Sequence, residues 1–209
     1  MRYALLLGLT TCLLFFSCNK EEEPMPAYIQ NLAEIRTNTD GYAEDLILDQ
    51  GEVLKINNTL SGLKTDTIIR VRALYQQTGQ TAWLNSCVEI LTPHLAVYKP
   101  EEVQTDPVSL IACWRGQHYV NLRLGISASA GGKHFFGFHQ SDLVRHEDGT
   151  QTLQAVLLHN RNNDPQHYTR EAFLSLPLRP LHDLLTAGRD TLQLHIQTHK
   201  GWEVKKILF

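Results

Sequence analysis

The sequence predicts an all-β chain divided into two domains, and three observations carry that reading. From Tyr28 onward the dominant period of the apolar residues is two rather than 3.6. Turn pairs built on glycine, Asp40-Gly41, Gln50-Gly51, Ser61-Gly62, Thr78-Gly79, Gly131-Gly132, Asp148-Gly149 and Lys200-Gly201, separate the alternating stretches. Between Thr92 and Pro107 the alternation breaks over Pro93, Pro100 and Pro107 and the acidic pair Glu101-Glu102, as suits a domain boundary.

The strands follow in order. Ile29 to Thr37, Tyr42 to Leu48 and Val53 to Asn57 come first. In Asp66 to Tyr75, Ile69, Val71, Ala73 and Tyr75 share one side while Arg70 and Arg72 share the other, the pattern of a half-buried strand. In Ala82 to Leu91 the residues Leu84, Val88 and Ile90 share the apolar phase, which puts Cys87 on the wetter face with Asn85 and Glu89. After the proline-rich break, Val108 to Trp114 places Cys113 in phase with Ile111. His118 to Ile126 sets Val120, Leu122, Leu124 and Ile126 against Asn121 and Arg123. His134 to His139, Leu153 to His159, Ala172 to Leu178, Asp190 to Thr198 and Trp202 to Phe209 complete the set. Only Pro180 to Ala187, before Gly188, reads as helical.

The domains are therefore drawn at 28–98 and 99–209. Five strands in the first match an OB-like Greek-key barrel, and about seven in the second match an antiparallel β-sandwich. Strand count alone does not choose these folds over other small β architectures.

The N-terminal residues carry an address. Met1-Arg2 is followed by a stretch from Ala4 to Phe16 that is apolar apart from Gly8, Thr10 and Thr11, the length of a signal sequence and too short for a permanent membrane span. It ends in Phe15-Phe16-Ser17-Cys18, which resembles the lipobox of bacterial lipoproteins. The resemblance implies a signal peptide of residues 1–17 and lipid on Cys18. Lys20, Glu21 and Glu22 directly after it resemble the surface-export signal of Bacteroidetes lipoproteins, so the expected location is the outer membrane, lipid-anchored and exposed at the cell surface. Residues 18–27 carry two prolines and no apolar periodicity and read as an acidic tether. The two or three acyl chains of a lipoprotein hold it permanently, so the folded part needs no membrane contact of its own.

The lipobox start, the stretch Asp45-Leu46-Ile47-Leu48-Asp49, the motif Trp114-Arg115-Gly116-Gln117-His118-Tyr119-Val120-Asn121-Leu122, then His134 and Leu158-His159-Asn160 followed by Asp164, together resemble the NigD-like lipoproteins of Bacteroidetes. The resemblance spans the mature chain and implies an N-terminal OB-type domain and a C-terminal β-sandwich. It implies no activity. The family name comes from a bacteriocin locus.

Chemistry is sparse. Nine of the ten histidines lie after residue 99, yet none makes a His-Glu-x-x-His, and no Cys-x-x-Cys occurs. His134 shares phase with Phe136 and Phe138, and His159 with Leu153, Ala155 and Leu157, which sets both at the inner-face ends of their strands. The expectation is a histidine hydrogen-bonded to backbone at the core edge, with a paired polar site as the alternative and no metal or other cofactor. No Gly-x-Ser-x-Gly and no phosphate loop is present, and the expectation is no catalytic residue and no enzyme.

Charge excludes one class of partner. The chain has a formal net charge of −3, and residues 28–98 hold five basic residues against eight acidic, the reverse of what binds phosphates. Nucleic acid is therefore not an expected partner. A glycan or protein ligand suits the composition, with Trp114, Tyr119, His134 and His159 as the residues for a polar ligand site. Asp66-Thr67-Ile68 and Asp190-Thr191-Leu192 resemble the O-glycosylation sequence of exported Bacteroidetes proteins, at Thr67 and Thr191. Cys87 and Cys113 are the thiols left in the mature chain and are expected to be free. The reading is a surface lipoprotein that acts as a non-catalytic binding or interaction module. The alternatives are an exported hydrolase or metal-dependent enzyme using the histidine-rich domain, and a bacteriocin self-protection protein.

Overall fold

A computed structural model describes residues 27–209. The expected lipidation of Cys18 and the export signal at Lys20, Glu21 and Glu22 lie outside the described residues. Strands β1 (Ile29–Thr37), β2 (Ala43–Leu48), β3 (Val53–Ile56), β4 (Ile68–Thr78) and β5 (Thr81–Glu89) close into a barrel in the order β1-β2-β3-β5-β4. The β4–β1 pairing completes the ring, with Val71 opposite Ala33 and Ile69 opposite Ile35. This is the OB-like Greek-key arrangement that the strand count matched. Ala33, Ile35, Leu46, Leu54, Ala73 and Tyr75 fill it and are all but removed from solvent.

The second unit is a sandwich of two sheets. Its strands are β6 (Leu95–Ala96), β7 (Ser109–Arg115), β8 (Tyr119–Ala128), β9 (Phe135–Arg145), β10 (Gln151–Asn160), β11 (Tyr168–Pro177), β12 (Thr191–Thr198) and β13 (Gly201–Leu208). One sheet runs β13-β12-β10-β9-β6 and the other β11-β8-β7. Leu122, Leu124, Phe138, Leu153, Leu174 and Leu194 meet between them as the core. The three-stranded sheet is antiparallel, whereas β10 pairs with β12 and β6 with β9 in parallel. The β10–β12 pairing is parallel because β11 crosses to the opposite sheet between them.

Several sequence expectations need correction. Leu95–Ala96 joins the sandwich, so strand pairing of the second unit begins before residue 99. The helical reading of 180–187 becomes one short 3-10 turn, Arg179–Asp183. The phase of both cysteine strands is reset by a β-bulge. In β5 Leu74 faces Ser86 and Tyr75 faces Leu84, which leaves Asn85 as the extra residue. Cys87 therefore turns inward against the barrel core while Val88 is more than half exposed. In β7 the extra residue is Ile111, so Ile111 faces out and Cys113 packs on the sandwich core. The two free thiols sit in separate cores.

Candidate functional site

The largest departure from the sequence pattern lies where the domains meet. Glu34 and Arg70 are opposite one another on β1 and β4 and occupy the polar, outward phase of the barrel. Asn121 and Ser175 occupy the outward phase of β8 and β11. All four are buried, because the outer face of the barrel lies against the outer face of the three-stranded sheet. Alternation identifies the polar face of a strand, and a polar face normally meets water; here it meets another polar face.

Burial on that scale requires every charge to be matched. Arg70 grips Asp49 with two guanidinium nitrogens, Nη1–Oδ1 at 2.6 Å and Nη2–Oδ2 at 2.9 Å. The same guanidinium donates to Asn121 Oδ1 at 2.9 Å and to Ser175 Oγ at 3.2 Å, and Ser175 donates in turn to Asn121 Oδ1 at 2.6 Å. Asn121 closes the circuit by donating from Nδ2 to Asp49 Oδ2 at 2.7 Å. Tyr119 lays its ring 4.2 Å from the Arg70 guanidinium and donates its hydroxyl to Glu34 at 2.7 Å. Burial first, and that bond to Glu34 second, hold the Tyr119 phenol above its ordinary value. Gly116 is required because a β-carbon there would press on the Asp49 carboxylate at 2.9 Å. The motif from Trp114 to Leu122 is thus the sandwich half of a domain clasp, and Asp49, the last residue of Asp-Leu-Ile-Leu-Asp, is part of the barrel half.

A cleft of about 340 Å³ opens beside the clasp. Gln30, Asn31, Gln50 and Arg72 line it from the barrel, and Trp114 and Phe173 from the sandwich. Arg72 rests 4.9 Å from the Phe173 ring. Glu171 gives both carboxylate oxygens to Arg123, at 2.5 and 3.1 Å.

A second constellation closes one end of the sandwich. The end of β8, the start of β9 and the end of β10 converge there and bring Ser129, His134 and His159 together. After Asn160 the chain turns through Asn162 and Asn163, both left-handed at φ of 50° and 58°, with the Asn160 side chain accepting from the Asn162 amide. Asparagine tolerates that conformation, and the turn returns Asp164 to the cluster. Asp164 accepts from the Ser129 amide at 2.8 Å and from the Ser129 hydroxyl, and lies 2.9 Å from His134 Nε2. Hydrogen bonds from Ser129 and then His134 bring its carboxyl down to about 2. A β-carbon on Gly132 would overlap that carboxylate.

His134 Nδ1 lies 2.8 Å from His159 Nε2, and His159 Nδ1 lies 2.9 Å from the Asp106 carbonyl. The rings of His134, His159 and Phe136 stack, His159 lying 4.7 Å from Phe136 at 6°. The two ends of this chain, the Asp164 carboxylate and the Asp106 carbonyl, are acceptors. Hydrogen bonding keeps Asp164 in its ionised form, and burial holds His159 below its ordinary value. The ring nitrogens point at one another, at the Asp164 carboxylate and at backbone, not at a shared centre. Among the described residues no set of three or more His, Cys, Asp or Glu is arranged for a metal.

The four ligand-site residues named from the sequence therefore divide. His134 and His159 pair, with His159 also bonded to backbone. Trp114 and Tyr119 lie at the domain junction. Thr67 and Thr191 are half-buried: Thr67 is tied by its amide to the Thr37 hydroxyl at 3.1 Å, and Thr191 opens β12. Sequence reasoning missed Glu34, Asp49, Arg70, Asn121 and Ser175. Asp49 and Asn121 lie inside the stretches that carry the family resemblance; Glu34, Arg70 and Ser175 had no signal beyond polar character in a polar phase.

Residues 91–208 match the family model described as NigD-like C-terminal beta sandwich domain. No curated protein matches the chain. Among solved structures, a NigD-like immunity protein from Bacteroides caccae is 26% identical, with a TM-score of 0.67 over 87% of this chain and 92% of its own. A protein of unknown function from Bacteroides vulgatus is 16% identical, with a TM-score of 0.67 over 88% of this chain and 91% of its own. A protein named as a lipoprotein from Bacteroides fragilis is 10% identical, with a TM-score of 0.63 over 88% and 98%. The last two likenesses are of fold.

Proposed function

The chain belongs to the NigD-like family through its C-terminal β-sandwich domain, and from that premise we propose that it is a lipid-anchored protein of the outer membrane, exposed at the cell surface, that works as a non-catalytic binding module. The observation that carries the reading is the clasp of Arg70 and Asp49 with Asn121 and Ser175, which fixes two domains around a ready-made cleft. A rigid cleft suits recognition, because little is spent on ordering its walls when a ligand arrives. The non-catalytic part is supported by the His134 cluster. The Ser129 hydroxyl donates to Asp164 rather than to an imidazole, and the imidazole nitrogens are taken by one another, by Asp164 and by backbone.

The address is tested by treating intact cells with protease. The folded domains are expected to be lost while periplasmic markers survive, and Cys18→Ala is expected to abolish acylation. Full protection in intact cells would overturn surface display, and unchanged acylation would remove the lipid anchor.

A second reading is self-protection against a secreted toxin, favoured by the 26% identity to a NigD-like immunity protein. Deleting the gene should then sensitise the strain to the medium of its own dense culture; unaltered growth would discard this reading.

A further inference from the structure

We infer that the cleft between the barrel and the three-stranded sheet is a site for an acidic saccharide, with Arg72 receiving the carboxylate and Trp114 the face of the sugar ring. The inference rests on the binding-module reading and deepens it.

Charge is the first argument. Asp49 is neutralised by Arg70 and Glu171 by Arg123, each through two oxygens. Arg72 has no carboxylate within ion-pair distance among the described residues; the Phe173 ring lies 4.9 Å from its guanidinium, and the Glu171 carboxylate, already bound to Arg123, feels its charge only at longer range. Of the four charged residues in the lining it alone makes no ion pair. Stacking on an aromatic face fixes the guanidinium plane and leaves its edge donors available, the arrangement that takes a carboxylate by two parallel hydrogen bonds.

The rest of the lining selects the ligand class. Gln30 and Gln50 present exposed side-chain amides that have no partner among the described residues, and amides both donate and accept as vicinal hydroxyls require. Trp114 is about one-third exposed and faces the same space. Its indole offers a flat apolar wall to the C–H face of a pyranose. A free peptide terminus would use the arginine as well. An apolar side chain beside it would want an aliphatic floor, and Leu32 and Ala112 are the only aliphatic residues in the lining. A volume of about 340 Å³ suits one or two sugar units.

The test is titration of the folded protein, with Trp83 and Trp202 replaced by Phe so that Trp114 alone reports. The probes are D-glucuronate, D-galacturonate and digalacturonate, with glucose, galactose and galactobiose as neutral counterparts and a short N-acetylated peptide with a free C-terminus as the competing class. Saturable binding of at least one uronate, tenfold or more tighter than its neutral counterpart, is expected. Arg72→Gln should remove that preference while leaving the melting temperature unchanged, and Arg72→Lys should retain part of it. Binding of none of the uronates, equal binding of neutral sugars, or binding of the peptide alone would each overturn the site. Cleavage of digalacturonate during the titration would instead overturn the non-catalytic reading, so the two failures are distinct.

Discussion

Asp49, in the barrel, accepts a 2.7 Å hydrogen bond from the side-chain amide of Asn121, in the sandwich, on the same carboxylate oxygen that Arg70 holds at 2.9 Å. One oxygen therefore serves an ion pair within a domain and a contact between domains. Breaking either disturbs both, and the two units should unfold together.

Asp49→Asn is expected to strand the Arg70 guanidinium, whose side chain is only 3% exposed, without a countercharge. Removing one partner of a buried ion pair costs about 3–5 kcal/mol. Urea denaturation followed by far-UV circular dichroism checks this: the wild type should show one transition, and the variant an earlier one that splits in two.

Tyr119→Phe keeps the ring over Arg70 and deletes the hydroxyl that Glu34 accepts from. A buried acceptor left without its donor costs about 1–3 kcal/mol. The phenol also predicts alkaline behaviour. Its folded value is raised, so its contribution is complete below the ordinary tyrosine value of about 10 and is lost as pH rises. Ultraviolet titration should find that Tyr119, with the buried Tyr75, ionises later than the exposed tyrosines, and Tyr119→Phe should reduce this late group by one.

The tautomer at the sandwich end is readable by nitrogen NMR of the histidine rings. Neutral His159 is expected as the Nδ1–H form, because its Nδ1 faces the Asp106 carbonyl at 2.9 Å. A spectrum showing the Nε2–H form would contradict that hydrogen bond.

The acid limb of stability draws on His159 and on depressed carboxylates of the same sign, among them Asp164 and Asp190. Burial holds His159 below its ordinary value, so through that window the unfolded chain binds the proton more readily. Its contribution is full above about pH 6.5 and declines as pH falls. Asp164 acts lower: it lies near 2 when folded and about 3.9 when unfolded, so its share is lost only below about pH 4. Urea midpoints measured from pH 8 to pH 3 should fall in two steps, with His159→Gln removing the first.

Both thiols are held above their ordinary value by burial, Cys87 in the barrel and Cys113 in the sandwich. A protein of residues 27–209 should react slowly with a thiol reagent when folded and yield two thiols in denaturant. A yield of none would mean a disulfide between the domains.

Strand positions were legible because each domain has one apolar face per strand, and period two reports that directly. Register was not, since a single extra residue at Asn85 or Ile111 reverses every side chain beyond it without any sign in composition. The pairing of His134 with His159 was reachable from their phase. The clasp was not, because Arg70 and Asn121 look the same in sequence whether their face meets water or another domain. Only the family motif marked that region, and it did so without saying why Gly116 and Asn121 stand where they do.

The place of β1 in the barrel has a mechanical consequence. β1 is hydrogen-bonded on both edges, to β2 and to β4, with Ala33 opposite Leu48 on one side and Val71 on the other. Those bonds run across the strand, so a pull applied along the chain from its N-terminal side loads them in shear, many at once, instead of peeling them singly. Glu34, midway along the same strand, is tied through Tyr119 to the sandwich. Tension entering at β1 would thus be shared between both domains.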